Sequence, residues 1–489
     1  MIKKNNLNSQ QEIENNLDLV KNYLNTKNLD YFDVRLEKNK TNKIIIENKN
    51  TKTISNIETI GIGIRIIKNK KMGFCSTNNI SNYKKIIDDC IENTKKISVK
   101  TNFDHEAENN KKIKYKHESF DKKEISRKVL ELQKINNDFL SKKSAFKIAQ
   151  SNITYFEKYA EKYFVNPNSF IYQEQPRIIF YSSITGKKNN LIETHTSRIG
   201  EIGGLEKINS KKIEETLLKN KQKVNDLLNS KPCPATKTDI ILTPELVDLL
   251  AHEAIGHSAE GDGIVNHSSV LKIGQVLSEN PLINVIDNPT LKNEFGSFVF
   301  DDEGILARPK TIIKKGIVNE YLLDIESASK LGFKSNGSAR AESYSSKPIV
   351  RMSNTYFTEG KDKYDEMLSD FSGYLLDGFA GGQVDPSVGT FMFGIKFAYK
   401  YDHGKLIEKY KQASISGNIL TYLKNISRIS NKIGKFEFGF CGKDGQMAYV
   451  SGSGPNILVK NAVVGGTKHE WYLWALQKIY KKRKCWIYL

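Results

Sequence analysis

Cysteine is scarce in this sequence, with five in 489 residues: Cys75, Cys90, Cys233, Cys441 and Cys485. They are odd in number, far apart and never in C-x-x-C spacing. That excludes a disulfide framework and fits a reduced, intracellular setting. No run of about eighteen apolar residues occurs, so no membrane-spanning helix is expected. The opening MIKKNNLNSQQEIENN is basic but has no apolar stretch behind it, so it does not read as a secretion signal. A cytoplasmic protein is the expectation. No internal repeat recurs at a fixed period. The formal charge of +19 invites a nucleic-acid reading, but there is no Arg-rich helix and no aromatic-basic stripe to concentrate it. Lysines scattered among Asn and Ile read as a solvated surface, with at most non-specific attraction for polyanions or acidic peptides. No specific nucleic-acid partner is expected.

Hydrophobic residues make up 38% and aromatics 10%, enough for globular cores. The length allows two or three domains. Residues 9–28 carry Ile13, Leu17, Val20 and Leu24 at helical spacing. YFDVRLEKNKTNKIIIENKN alternates as a strand, and GIGIRIIKNKKMGFCST reads as a strand pair with a Lys-Asn turn. Two amphipathic helices (SNYKKIIDDCIENTKKI and SRKVLELQKINNDFL) flank a strongly polar segment at about 100–125. Strands follow around FKIAQSNITYFEKYAEKYF and RIIFYSSITGKKNNLIETHTSRIG. The expected fold class is α+β in two domains. An α/β N-terminal domain occupies 1–230. A β-rich C-terminal domain, an antiparallel sheet or barrel, occupies 231–467 and carries a metal-site helix. The proline-flanked NSKPCPATKTD marks the boundary, and 468–489 forms a basic aromatic tail holding the three tryptophans.

The chemistry concentrates in LTPELVDLLAHEAIGHSAEGD. Thr243 suits an N-cap, Pro244 the first helical position, and Glu245 the positive end of the dipole. Leu246, Val247, Leu250 and Ala254 line an apolar face. His252 and Glu253 precede His257 by five and four residues, whereas the helical zinc signature H-E-x-x-H sets its histidines four apart. At about 100° per residue, a five-residue step puts the rings roughly 140° apart. One wider π-type turn, or a helix end, brings both within reach of one ion, and Gly256 stands where such a distortion crowds least. Asp248, one turn earlier, is placed to hold the distal nitrogen of His252. The alternative is an ordinary amphipathic helix carrying two histidines. A third ligand is needed, and the candidates are Glu260, Asp262, His267 and a distant cysteine. Cys441 stands apart because FEFGFCGKDGQ puts it where a strand meets a turn, with Lys443 near enough to favour a thiolate.

These motifs together resemble the TldD/PmbA family of metallopeptidases, in its TldD-like catalytic branch. The ordered matches run from ILTPELVDLLAHEAIGHSAEGD through FVFDDEG, GSARAESYSSKPIVRMSNTY, GFAGGQVDPSVGTFMF and CGKDGQ to AVVGGT. The resemblance implies a zinc peptidase with ligands His252, His257 and Cys441 and Glu253 as general base. It implies a subunit that forms homodimers, or heterodimers with a metal-free sister, around an enclosed space admitting unfolded or short peptides. Arg340, Tyr344 and Arg351 are candidates for binding substrate or steadying an oxyanion, with inter-strand hydrogen bonding as the structural alternative for all three. The competing function is a non-hydrolytic peptide-binding or scaffold subunit with a structural metal.

Overall fold

Alternation along the strand Tyr31–Glu47 sets the layering of the N-terminal half. Even-numbered Val34, Leu36, Ile44 and Ile46 bury against helices, so odd-numbered Asp33, Arg35 and Glu37 point to the other face. The computed structural model describes residues 9–101, 103, 113–117 and 124–466. The tail at 468–489, Cys485 and most of the polar 100–125 segment lie outside them.

Seven strands form the first, curled sheet. Tyr31–Glu47 pairs with Asn50–Lys68 and Lys147–Val165, and Phe170–Lys188 pairs with Leu191–Ile202. The long pairings are all antiparallel; only short Ile113–Tyr115 adds in parallel. The turn between Asn50–Lys68 and Lys71–Thr77 holds Asn69 and Lys70 at φ 54 and 61, the left-handed pair a two-residue hairpin requires. Helices Gln10–Asn25 and Tyr83–Thr94 cover one end of the even-numbered face, and Ile125–Ser141 and Ser210–Asn229 the other. Ser210–Asn229 is an element the sequence expectations omit, although Ile213, Leu217, Val224 and Leu228 line its buried side.

In the second half, Thr236–Leu242, Gly373–Asp385, Thr390–Asp402, Lys405–Asn418 and Ile457–Gly466 close into a five-stranded barrel, sealed where Lys405–Asn418 meets Ile457–Gly466. Leu242, Leu376, Phe393, Ile395, Ile415 and Val459 fill its core. GFAGGQVD is a bulge in one barrel strand: a Cβ at Gly382 would fall 2.6 Å from the ring of Phe393. A six-stranded mixed sheet packs beside the barrel, with Glu437–Lys443 at its edge. Thr236–Leu242 leaves the barrel directly into the site helix. No helix among the described residues is long and apolar enough to cross a membrane.

The polar face of the first sheet is not solvated. Arg65, 1% exposed, bonds Asp33 of its own sheet at 2.6 Å and reaches Glu303 across the interface. Lys162 reaches Asp302 at 2.9 Å, and Arg177 donates to the carbonyls of Phe295 and Ser297. The acids of SFVFDDEGILA sit in a turn at 301–304, because Asp301 accepts from the backbone of Glu303 and Ile305 and folds the segment on itself.

Candidate metal centre

The site helix begins as the sequence suggests, with Pro244 at its first position and Leu246, Val247, Leu250 and Ala254 buried. Thr243 takes the N-cap position but does not cap; its hydroxyl donates to Asp377 instead. Pro244–Leu249 is α-helical, and Leu250–Gly256 then widens into a π-helix. The extra residue in that turn absorbs the five-residue interval, and the rings of His252 and His257 meet edge-on with centroids 5.2 Å apart. Gly256 has ordinary helical dihedrals. Its role is to make room: a Cβ there would lie 2.1 Å from Met352 Sδ.

Cys441, from the edge strand Glu437–Lys443, completes the cluster. Its Sγ lies 3.3 Å from His257 Nε2, and the donor atoms of His252, His257 and Cys441 fall within 4.8 Å of one another, all buried. Two imidazoles and a thiolate around a zinc ion, at bond lengths of about 2.0–2.3 Å, stand about 3.5 Å apart in a tetrahedral set. The spacing and donor chemistry fit such an ion. The electrostatics agree. Burial alone would push the Cys441 thiol up, but His257, Arg351 and His252 outweigh it and hold the group well below its usual value. Burial likewise opposes a proton on either imidazole, yet the sulfur raises both, joined at His257 by Glu260.

The Glu253 carboxylate lies 3.7 Å from His252 Nε2 and 3.8 Å from His257 Nε2. Burial pushes its carboxyl upward, partly countered by the two rings. Glu260, a candidate ligand by sequence, sits behind the ring instead: His257 Nδ1 donates to its Oε2 at 3.1 Å, which turns Nε2 towards Cys441. Burial would raise Glu260, but Lys443 and His257 hold it at about 2. Lys443 is therefore not the thiolate's cation. Its Nζ lies 3.0 Å from Glu260 and 2.7 Å from Asp262. His267 is exposed in a left-handed turn, outside the cluster.

Asp248 lines the same cleft as His252 but makes no hydrogen bond to it among the described residues. Its carboxyl tucks against Gly452, where a Cβ would fall 1.7 Å from Oδ1, and burial pushes it up to about 7. The three candidate substrate residues are engaged elsewhere. Arg340 donates to the carbonyls of Met352 and Tyr449. Arg351 donates to the carbonyls of Cys441 and Gln446, so it fixes the ligand strand. Tyr344 packs on the first sheet, its ring filling the space a Cβ at Gly61 would need.

Residues 235–466 match the PmbA/TldA metallopeptidase C-terminal domain, and residues 32–98 match PmbA/TldA metallopeptidase domain 1. A metalloprotease of Methanocaldococcus jannaschii is 32% identical over 87% of this chain and 95% of its own length. The chain belongs to the TldD/PmbA metallopeptidase family. Another relative, named a zinc metalloprotease TldD homolog, from Saccharolobus solfataricus, is 30% identical over 89% of this chain and 96% of its own. Two solved structures share the fold. One, from Thermotoga maritima and described as a modulator of a DNA gyrase, has a TM-score of 0.76 at 17% identity, covering 93% of this chain and 100% of its own. The other, TldE from Thermococcus kodakarensis, has a TM-score of 0.69 at 16% identity, with the same coverage.

Proposed function

We propose that this metallopeptidase-family chain is a zinc-dependent peptidase acting on unfolded or short peptides, with His252, His257 and Cys441 as ligands and Glu253 as general base. The observation that carries this reading is the convergence of three donors within 4.8 Å beneath a buried carboxylate. A zinc ion held by His252, His257 and Cys441 would supply Lewis acidity to a peptide carbonyl and lower the pKa of water towards about 7. Glu253 takes a proton from the attacking water and delivers it to the departing amine nitrogen. Its raised affinity for protons suits that shuttle. Glu260 and Arg351 position His257 and Cys441 through their bonds to Nδ1 and the backbone carbonyl.

Substrate backbone has a natural place beside the site. Glu437–Lys443 and Leu191–Ile202 are each paired on one side only among the described residues, and an extended peptide adds to such an edge with little demand on sequence. The same reading makes the chain a cytoplasmic subunit of a homodimer, or of a heterodimer with a metal-free sister, that encloses the cleft. A structural zinc is usually closed by four protein ligands, whereas three donors cluster here among the described residues, which favours hydrolysis over a scaffold role.

The test is peptide hydrolysis by the zinc-loaded protein and its Glu253→Gln variant. The variant is expected to keep its zinc and lose about 10²–10⁴-fold in rate. Full activity in Glu253→Gln removes Glu253 from the mechanism, and a zinc-loaded protein that hydrolyses no peptide supports the scaffold reading.

A further inference from the structure

The cleft beside Glu253 has one wall from the other half of the chain. Arg198, on Leu191–Ile202, lines it together with Asp248 and His252 of the site helix and Phe438 and Phe440 of the ligand strand. Pairing sets Arg198 opposite Tyr181, and alternation puts it on the same face as Gly200. A Cβ at Gly200 would fall 2.4 Å from the ring of Phe438, so this face rests directly on that ring. The Arg198 guanidinium lies 5.5 Å from the Phe438 centroid. Among the described residues it makes no hydrogen bond and no ion pair.

That sets it apart from the arginines around it. Arg177, Arg340 and Arg351 all donate to backbone carbonyls and are consumed by the framework. Arg198 keeps its permanent charge and its N–H donors, and the nearest ring supplies only a face. Three carboxyls line the cleft with it, Asp248, Glu253 and Glu437. None forms an ion pair with it among the described residues, and burial disfavours the charged form of Asp248 and Glu437. A guanidinium left in this condition suits an oxyanion gripped by its planar fork, and on a peptide that oxyanion is a carboxylate.

We propose that Arg198 is a specificity-determining residue that binds a carboxylate of the peptide lying in the metal cleft, either the C-terminal carboxylate or an acidic side chain. The identity of the ligand as a peptide rests on the peptidase reading; the anion-binding role of Arg198 does not. The residue acts through substrate binding and is not part of the proton shuttle.

The test measures binding of fluorescent hexapeptides to the full-length, zinc-loaded Glu253→Gln protein by anisotropy, with and without a further Arg198→Met change. One neutral sequence is compared as free acid, C-terminal amide and N-acetylated free acid; a fourth peptide is an amide with one internal Glu. If the C-terminus is read, amidation weakens binding roughly tenfold to a hundredfold. If a side chain is read, the Glu-containing amide binds tighter than the neutral amide by a similar factor. Arg198→Met abolishes whichever preference exists, and Arg198→Lys restores part of it. Equal affinities for all four peptides, failure of every peptide to bind, or a preference that survives Arg198→Met overturns the proposal. So does weakening by N-acetylation alone, which assigns the cleft's selectivity to Asp248 and Glu437 gripping an ammonium. The comparison of peptides needs only the parent protein, so a misfolded Arg198 variant does not void it. Absence of hydrolysis in the wild type, with carboxylate preference intact, defeats the peptidase reading and leaves this one standing.

Discussion

His257 owes its orientation to Glu260 and Lys443 rather than to the helix that carries it. A carboxylate on Nδ1 fixes the tautomer and aims Nε2 at Cys441, and Lys443 anchors that carboxylate from behind. Glu260→Ala is accordingly expected to weaken metal affinity about 10–100-fold without removing a donor. Competition with a chromophoric chelator measures this, and unchanged affinity would show that the ring is held by other means. These roles were only partly legible in the sequence. Glu260 stood out as an acid near the histidines, but telling a ligand from a ring partner required the short turn His257–Ala259 that swings it behind the imidazole. Lys443 is two residues from Cys441 and so on the same strand face, yet its ammonium pairs with Glu260 and Asp262. The arginines mislead for a similar reason. Buried guanidinium groups that hold carbonyls look, in a sequence, like guanidinium groups waiting for substrate.

The π-helix Leu250–Gly256 is the element on which the centre depends. An interval of five between two histidines is incompatible with a regular helix serving one ion, so the spacing admitted an irregular turn or a helix end but could not choose between these and an ordinary helix without a metal. The reason for Gly256 could not, because it lies in Met352, about a hundred residues downstream and fully buried against the turn. Gly256→Ala drives a methyl group into that packing and is expected to destabilise the fold by about 1–3 kcal/mol. Urea unfolding of the two proteins tests it; coincident midpoints would mean that Met352 yields freely. Elsewhere, elements with clean two- or 3.6-residue periodicity, such as Tyr31–Glu47 and Gln10–Asn25, were legible. The acidic turn at 301–304 was not, since its partners Arg65 and Lys162 come from a different sheet.

Across the whole molecule, the first sheet docks on the second half through buried charge as well as through aromatic contact such as Tyr181 on Phe438. Arg65, Asp33 and Glu303 form a desolvated triad at this junction. Such a triad is weak evidence for net stability, but removing one member leaves charges buried without compensation. Arg65→Met is expected to cost about 3–5 kcal/mol, with part of the loss recovered in Arg65→Met/Glu303→Gln; denaturant unfolding of both variants checks this, and a neutral Arg65→Met would show that water or rearrangement relieves the acids. The junction also sets the cleft, because it fixes Leu191–Ile202 against Glu437–Lys443 and so places Arg198 beside the metal-site helix. Two-sheet assembly of this kind leaves little trace in sequence, since each polar strand face reads as solvated until its partner is known. The central claim is that two rings on a π turn and one sulfur from a distant strand hold a single ion. Elemental mass spectrometry of the purified protein and its Cys441→Ala variant tests it directly: the account predicts one zinc per chain in the first and its loss from the second. A zinc-free native protein, or full occupancy without the sulfur, would contradict it.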